Sequence, residues 1–386
     1  MDRLATHKSA QDSVMPPAQS PWKDTWRLLR RNRMALIGLI TFLIFFAVAL
    51  AGMLLTSGNP PILDPARIRL QEKLRPPLSK PNMETLQPAE VPELRIYLLG
   101  TDDLGRDVFA RMLQGAWVSL TVGFVAVAIA VGIGIFLGGL SGFYGDQYVQ
   151  VWHCLFALVL SIAAVLAAMQ RWGGAALFTL AGAGIWLLSR SPRKISQRDA
   201  GRPGKWPAQP VMSVDTLIMR AVDIMLCFPS FFLILTVVAL LPPSLYNIMV
   251  VIGLTSWMGT TRFVRAEFLS LREQDFVAAA RALGISDMRI IFRHIMPNAL
   301  APVLVSATLG IASAMLTEAG LSFLGFGVPP PHATWGNILS DGKDYIFDAP
   351  WLTFAPGIII LVVVLAFNLF GEGLRDIMNP KLRQRQ

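Results

Sequence analysis

The side chains able to do chemistry in this sequence are few, and their spacing argues against catalysis. Asp102, Asp103 and Asp107 gather ahead of an apolar block. They lack the alternating spacing and closing glutamate of a calcium loop, and capping of a helix that starts near Arg106 accounts for them better. His294 and His332 have no histidine or cysteine neighbours at ligand spacing, so neither is assigned to a metal. Cys154 and Cys227 both fall in apolar stretches and define no disulfide framework, metal site or redox pair. The string "GRPGKW" is the nearest approach to a phosphate-cradling G-x-x-x-x-G-K-[ST] loop, but its spacing is wrong and it ends in tryptophan. No nucleophile, base and orienting acid converge in a motif. The chain is therefore not expected to be an enzyme or to bind a cofactor itself.

What surrounds these residues explains their scarcity. Of 386 residues 54% are hydrophobic and only 15% charged, against roughly a quarter charged in a soluble domain. The apolar residues form blocks long enough to cross a bilayer, which takes about 20 residues. An all-α polytopic membrane protein follows, with eight expected spans near 34–55, 117–140, 150–169, 174–189, 214–241, 245–261, 298–320 and 351–374. The net charge of +9 sits beside these blocks, where orientation signals belong. No free basic helix interleaved with aromatics points to nucleic acid.

Arg27, Arg30, Arg31 and Arg33 place the N-terminal segment 1–33 in the cytoplasm. Alternation from there puts 190–213, 262–297 and the tail 375–386 inside as well. The stretch 56–116 becomes an outer loop and helix, proline-rich with mixed charge over 56–96. The block 148–212 carries two of the spans and can be removed without reversing any other, so it reads as an insertion.

Within the spans, ionisable and helix-breaking residues are the functional candidates. Arg220 and Asp223, three apart, are expected to pair with each other at the inner membrane surface. Asp223 is also a candidate for a solute pathway, as are Pro229, which should kink its span, and Glu318, near the outer end of the seventh. Gly134, Gly138 and Gly142 recur every fourth residue and suit close contact with another helix. Span centres are otherwise almost free of charge, which disfavours the rival reading of an ion-driven secondary transporter or channel.

The most ordered polar stretch is "REQDFVAAARALGISDMRIIFRHIMPNALAP", Arg272 to Pro302. Phe276, Ala279, Ala280 and Leu283 share one helical face. Gly284 follows where a helix commonly closes with positive φ. Ser286 can cap a second helix, with Asp287 in its first turn. There Met288, Ile291, Phe292 and Ile295 form one face while Arg289 and Arg293 stand on the other. Pro297 begins the return to the membrane. Two amphipathic helices at the inner surface are expected, each with one face buried and one free.

These residues also carry a resemblance. "FVAAARALGISDMRIIFRHIMPN" resembles the cytoplasmic EAA-type loop of permease subunits in ABC importers. "LGTDDLGRDVFARMLQGAWVSLTVGF", "GGLSGFYGD", "VDTLIMRAVDIMLCFPSFFLIL", "WMGTTRFVRAEFLSLRE", "LSFLGFGVPPPHATWGNIL" and "FNLFGEGLRDIMNPKLR" are similar to one subgroup, the second permease of oligopeptide, dipeptide and nickel importers. The likeness covers 98–147 and 213–383. It departs at Ala278, where the family usually has glutamate, and at 148–212, which has no place in the usual six-span pattern.

The resemblance implies the type I ABC importer transmembrane fold over 117–374, interrupted by 148–212, with six family-type spans and two inserted. It implies that Phe276, Val277, Ala279, Ala280, Arg281, Leu283, Gly284 and Ile285 engage a separate ATPase. It also implies a homologous second permease, two cytoplasmic ATPases that hold ATP and magnesium, an external substrate-binding protein, and a place in the lipid of the bacterial inner membrane with both termini cytoplasmic.

Overall fold

The computed structural model describes residues 30–145, apart from 31, 59, 85 and 87–89, together with 148–150 and 210–378. The expected spans 150–169 and 174–189, the basic segment before residue 30 and the end of the tail lie outside the described residues. The helices are α1 (Arg33–Thr56), α2 (Val108–Tyr144), α3 (Val214–Leu226), α4 (Ser230–Leu240), α5 (Leu245–Leu254), α6 (Trp257–Arg272), α7 (Asp275–Ala282), α8 (Asp287–Ile290), α9 (Met296–Phe323), α10 (Trp335–Gly342) and α11 (Trp351–Met378). Two compact units divide the chain, 1–123 with 304–386 and 124–303, so the boundary falls inside α2 and α9.

In the first unit α1 lies along α11. Gly38 makes the approach possible: a Cβ there would stand 2.6 Å from the amide nitrogen of Phe370. Phe42 stacks with Phe370 at 6.2 Å and meets Phe367 edge-on at 5.2 Å. Ile37, Ile44, Phe46, Leu50 and Leu54 remain exposed on α1, an apolar band suited to lipid. The described residues of 57–107 include no α-helix. They fold around a 3-10 turn, Leu70–Glu72, and the isolated bridges of Ser79 with Tyr97 and Thr101 with Asp107. A capping box holds the start of α10, Thr334 accepting from the Asn337 amide and Asn337 accepting in return.

The second unit contains the rest of α2, α3 to α8 and the first turns of α9. Two short strands, β1 (Tyr148–Gln150) and β2 (Pro210–Ser213), pair antiparallel with Tyr148 opposite Ser213. Gln150 and Pro210, which flank residues 151–209, are therefore neighbours across the two strands.

Four described helices are long and apolar enough to cross a membrane: α1, α2, α9 over 302–323, and α11 over 351–377. At 37 residues α2 extends well beyond the expected 117–140. It is about 55 Å long at 1.5 Å per residue. Two other expected spans are not single helices. In 214–241 Pro229 does more than kink: α3 ends at Leu226, Pro229 becomes the N-cap of α4, and the axes bend by 80°. Proline lacks the N–H that would continue the ladder and turns its predecessor away from helical angles. In 245–261 the helix stops at Leu254. Thr255 and Ser256 turn their hydroxyls back to the carbonyls of Val251 and Ile252, each at 2.7 Å, and the chain restarts at Trp257.

The stripe Gly134, Gly138 and Gly142 lies against α6. A Cβ at Gly138 would stand 2.6 Å from the carbonyl oxygen of Thr261, and one at Gly142 2.5 Å from Cβ of Phe268. Gly142→Leu should therefore force the helices apart. Overpacking of this kind costs about 1–3 kcal/mol, and a detergent-solubilised thermal ramp is expected to show a midpoint several degrees lower. An unchanged midpoint would mean that the contact is dispensable.

Candidate functional site

The turn after α6 is built from backbone logic that the sequence dictates. α7 ends at Ala282 with Leu283 as C-cap, and Gly284 takes φ +73°. The Gly284 amide donates to Arg281 at 2.9 Å and the Ile285 amide to Ala280 at 3.1 Å, a Schellman closure that satisfies two otherwise orphaned carbonyls. A Cβ on Gly284 would meet nothing within 4 Å. The demand for glycine is thus conformational and not a matter of space. Gly284→Ala should cost about 1–2 kcal/mol of left-handed strain, visible as faster proteolysis in this turn with the membrane-inserted subunit retained. Unaltered cleavage kinetics would refute it.

Val277 and Ala280 point into a core with Phe143 of α2, Val264 and Phe268 of α6, and Ile290, Ile291, Ile295, Ala299 and Val303 beyond the turn. Ile285 packs on the same cluster, the apolar contact that accompanies a Schellman closure. Arg281 lies over the Phe143 ring at 5.5 Å. Phe276, Ala279, Leu283 and Gly284 face outward, with Phe276 41% and Leu283 80% exposed. The expected face of Phe276, Ala279, Ala280 and Leu283 is thus divided, Ala280 turning inward beside Val277.

The second expected helix also differs. Only Asp287–Ile290 is α-helical. A π-helical stretch, Ile291–Ile295, then runs straight into α9, whose second residue is Pro297. The missing N–H of that proline disturbs the ladder. One carbonyl is recovered nearby, the Asn298 side chain donating to the His294 oxygen at 2.7 Å. Ser286 occupies the N-cap position but its hydroxyl makes no cap bond. Met288 and Phe292, expected on one face with Ile291 and Ile295, are 59% and 61% exposed while the isoleucines are buried. Met288 and Phe292, four residues apart, thus stand together on the outward side of this turn.

The ionisable residues find partners that local spacing did not suggest. Asp223 pairs with Arg262 of α6, not with Arg220, through a single bond of 2.6 Å. One turn on, Arg265 grips both oxygens of Asp215, which also accepts from Ser141 of α2. Arg262 and Arg265, expected in a loop, thus stand on a helix. In the first unit Glu318 is buried, accepting from Ser322 at 2.7 Å and Ser119 at 3.3 Å. The Ser119 bond ties α9 to α2, and the carboxylate lies buried within that unit.

Asp107 caps α2, accepting from the Phe109 amide at 2.9 Å. Burial pushes its carboxyl above the usual range against that bond. Asp102 does not cap the helix. It accepts from Arg106 and Arg111, and Asp341 of α10 accepts from the same two arginines. Asp102, Asp103 and Asp341 lie close enough to suggest a cation site, but the guanidinium groups supply the positive charge there.

A family model described as "Binding-protein-dependent transport system inner membrane component" matches residues 206–384. Another, "N-terminal TM domain of oligopeptide transport permease C", matches 20–77. The dipeptide transport system permease protein DppC of Alkalihalophilus pseudofirmus is 36% identical over 366 residues, 95% of this chain and 92% of that one. The di/tripeptide transport system permease protein DppC of Pseudomonas aeruginosa is 33% identical over 383 residues, 99% of each chain. The oligopeptide transport system permease protein OppC of Bacillus subtilis is 29% identical over 382 residues, 98% of this chain and 96% of that one. Among solved structures, an inward-facing MetNI methionine ABC transporter aligns with TM-score 0.36 and 16% identity over 68% of this chain and 95% of that one, too loosely to add to the argument. Identity at this level along nearly the whole length, joined to both family models, makes this multi-pass membrane chain a member of the binding-protein-dependent transport system inner membrane components, in the branch of the second, C-type peptide permeases.

Proposed function

We propose that this chain is one of two transmembrane subunits of an ATP-driven importer of peptides or similar small solutes, and that the turn from α7 to Ile285 is where a separate ATPase drives it. The observation that carries this is the division of α7 into two faces. Val277 and Ala280 root the helix in a core shared with α2, α6 and the start of α9, while Phe276, Ala279, Leu283 and the Gly284 turn stand free. A partner that grips the free face and moves it must move α6 and the ends of α2 and α9 packed on it, because packed side chains transmit displacement. Small alanines at 278, 279 and 282 let a partner's backbone approach closely. Lacking the glutamate at Ala278, this chain would rely on shape and on Arg281 more than on a carboxylate contact.

In the assembly this implies, a homologous permease supplies the other half of the pathway and two ATPases hold ATP and magnesium. A solute-loaded binding protein docks from outside. Closure of the ATPases opens the pathway outward to receive the solute, and hydrolysis returns it inward. The chain sits in the bacterial inner membrane with both termini cytoplasmic, in contact with lipid along α1.

The deciding experiment co-expresses the chain with its companion permease and ATPases and places cysteines singly at 276 to 283. Short crosslinkers should capture the ATPase from 276, 279 and 283 but not from 277. Capture of lipid or solvent alone, or uptake into vesicles that ATP never stimulates, refutes the reading.

A further inference from the structure

We infer that Phe143, one residue from the end of α2, is a positioning residue for coupling, clasped by the two arginines that bracket α7, so that α7 carries the end of α2 with it when it moves. The inference rests on the importer reading and deepens it, naming how the driven helix is fastened to a membrane helix.

The string "GGLSGFYGD", residues 138–146, holds the last turns of α2. Packing on α6 accounts for Gly138 and Gly142, and Ser141 donates to Asp215. Close packing does not account for the aromatic residue that follows. Phe143 is buried, and two cations from outside α2 converge on it. Arg272, the last residue of α6, donates from its guanidinium to the Phe143 carbonyl at 3.3 Å. Arg281, next to last in α7, holds its guanidinium 5.5 Å from the centre of the Phe143 ring. One arginine lies three residues before α7 begins and the other one residue before it ends. A helix about 12 Å long is thus tied at both ends to a single residue. All of these residues belong to the second unit.

The chemistry suits that task. Carbonyls in the last turn of a helix have no partner within it and carry the negative end of its dipole, so the Phe143 oxygen is a ready acceptor for a cation. The face of an aromatic ring is a second. Phe143 therefore receives two guanidinium groups without a carboxylate. The apolar contacts of Val277 and Ala280 in the same core resist separation, but burial of this kind has no direction and leaves α7 free to roll. Fixing both ends removes that freedom. Arg281 is also exposed, so its contact with the ring can be altered without opening the core.

The test uses liposomes holding the full importer, with its binding protein outside, ATP inside and dialanine as probe, and reads dialanine moved per ATP hydrolysed. F143L keeps an apolar side chain but removes the ring, and is expected to lower the ratio roughly fivefold, within the range by which single contacts alter a coupling. R281Q, at an exposed position where folding is little affected, should lower it as far. The double variant F143L/R281Q should fall no lower than either, since ring and guanidinium form one contact. R281K, which returns a cation to the ring, should recover at least half of the loss. A normal ratio in F143L or R281Q, or losses that multiply in the double variant, would overturn the clasp. If F143L cannot be recovered folded, R281K decides alone, and a ratio as low as that of R281Q overturns it. No ATP-driven uptake by the unaltered assembly would sink the importer reading itself, and the proposal with it.

Discussion

Val277→Asp is expected to abolish recovery of the folded subunit, whereas Phe276→Asp, one residue away, is expected to leave folding intact and sever the ATPase. Val277 is fully buried, packed with Phe143, Phe268, Ile290 and Ile295. An aspartate there would bury a carboxylate with no partner, which costs several kcal/mol even after its pKa adjusts. It also forfeits the apolar burial of the valine, about 1.5–3 kcal/mol. Those sums rival the whole stability of a typical domain. Monodisperse subunit in detergent should fall at least tenfold. Phe276 is 41% exposed and lies in the first turn of α7, where a negative charge suits the helix dipole. Its replacement should change stability by no more than about 0.5 kcal/mol, yet co-purifying ATPase should drop at least tenfold because the outward face would lose its largest apolar side chain. Equal ATPase recovery from both variants would show that the free face is not the contact.

The two substitutions also show where sequence and structure part. The helix and its closing glycine were legible because each is local: a capping geometry demands Gly284, and period and composition demand the helix. Which face turns inward was not legible. Phe276, Val277, Ala278, Ala279 and Ala280 are all apolar, so periodicity cannot choose among them. The choice falls to Phe268 and Ile290, which approach from outside the helix. Charge pairing failed for the same reason. Arg220 is the nearest cation to Asp223 in sequence, but Arg262, 39 residues away, is brought in by the packing of α3 on α6. The break at Thr255 and Ser256 is quieter still, since hydroxyls inside an apolar run give no warning that they will bond back to carbonyls. The glycine stripe on α2 announced itself, because close approach of two helices admits little else.

Asp102→Asn is expected to loosen the segment that leads into α2, by more than any other single change outside the buried apolar cores. Asp102 is fully buried. One oxygen accepts the Leu104 and Arg106 amides at 2.9 and 2.8 Å, and the other accepts the Arg106 and Arg111 side chains. The carboxylate thus both shapes the turn and neutralises two guanidinium groups that also reach Asp341 on α10. Asparagine preserves the shape but offers one oxygen in place of two and no charge. Breaking a buried pair costs about 3–5 kcal/mol, chiefly from the charge left behind. Because Asp341 still holds Arg111 at 2.9 Å, the lower end, about 3 kcal/mol, is expected, read as an earlier loss of folded protein in a detergent thermal ramp. Asp341→Asn, at a side chain 34% exposed, should cost about 1 kcal/mol, since water screens what remains. Removing Arg111 together with Asp102, as R111M/D102L, should recover much of the loss, because no charge is then stranded at Arg111 and Arg106 keeps Asp341 at 3.1 Å. If the double variant melts lower than D102N, the network would be holding the turn by its hydrogen bonds to backbone, and the charges would matter little.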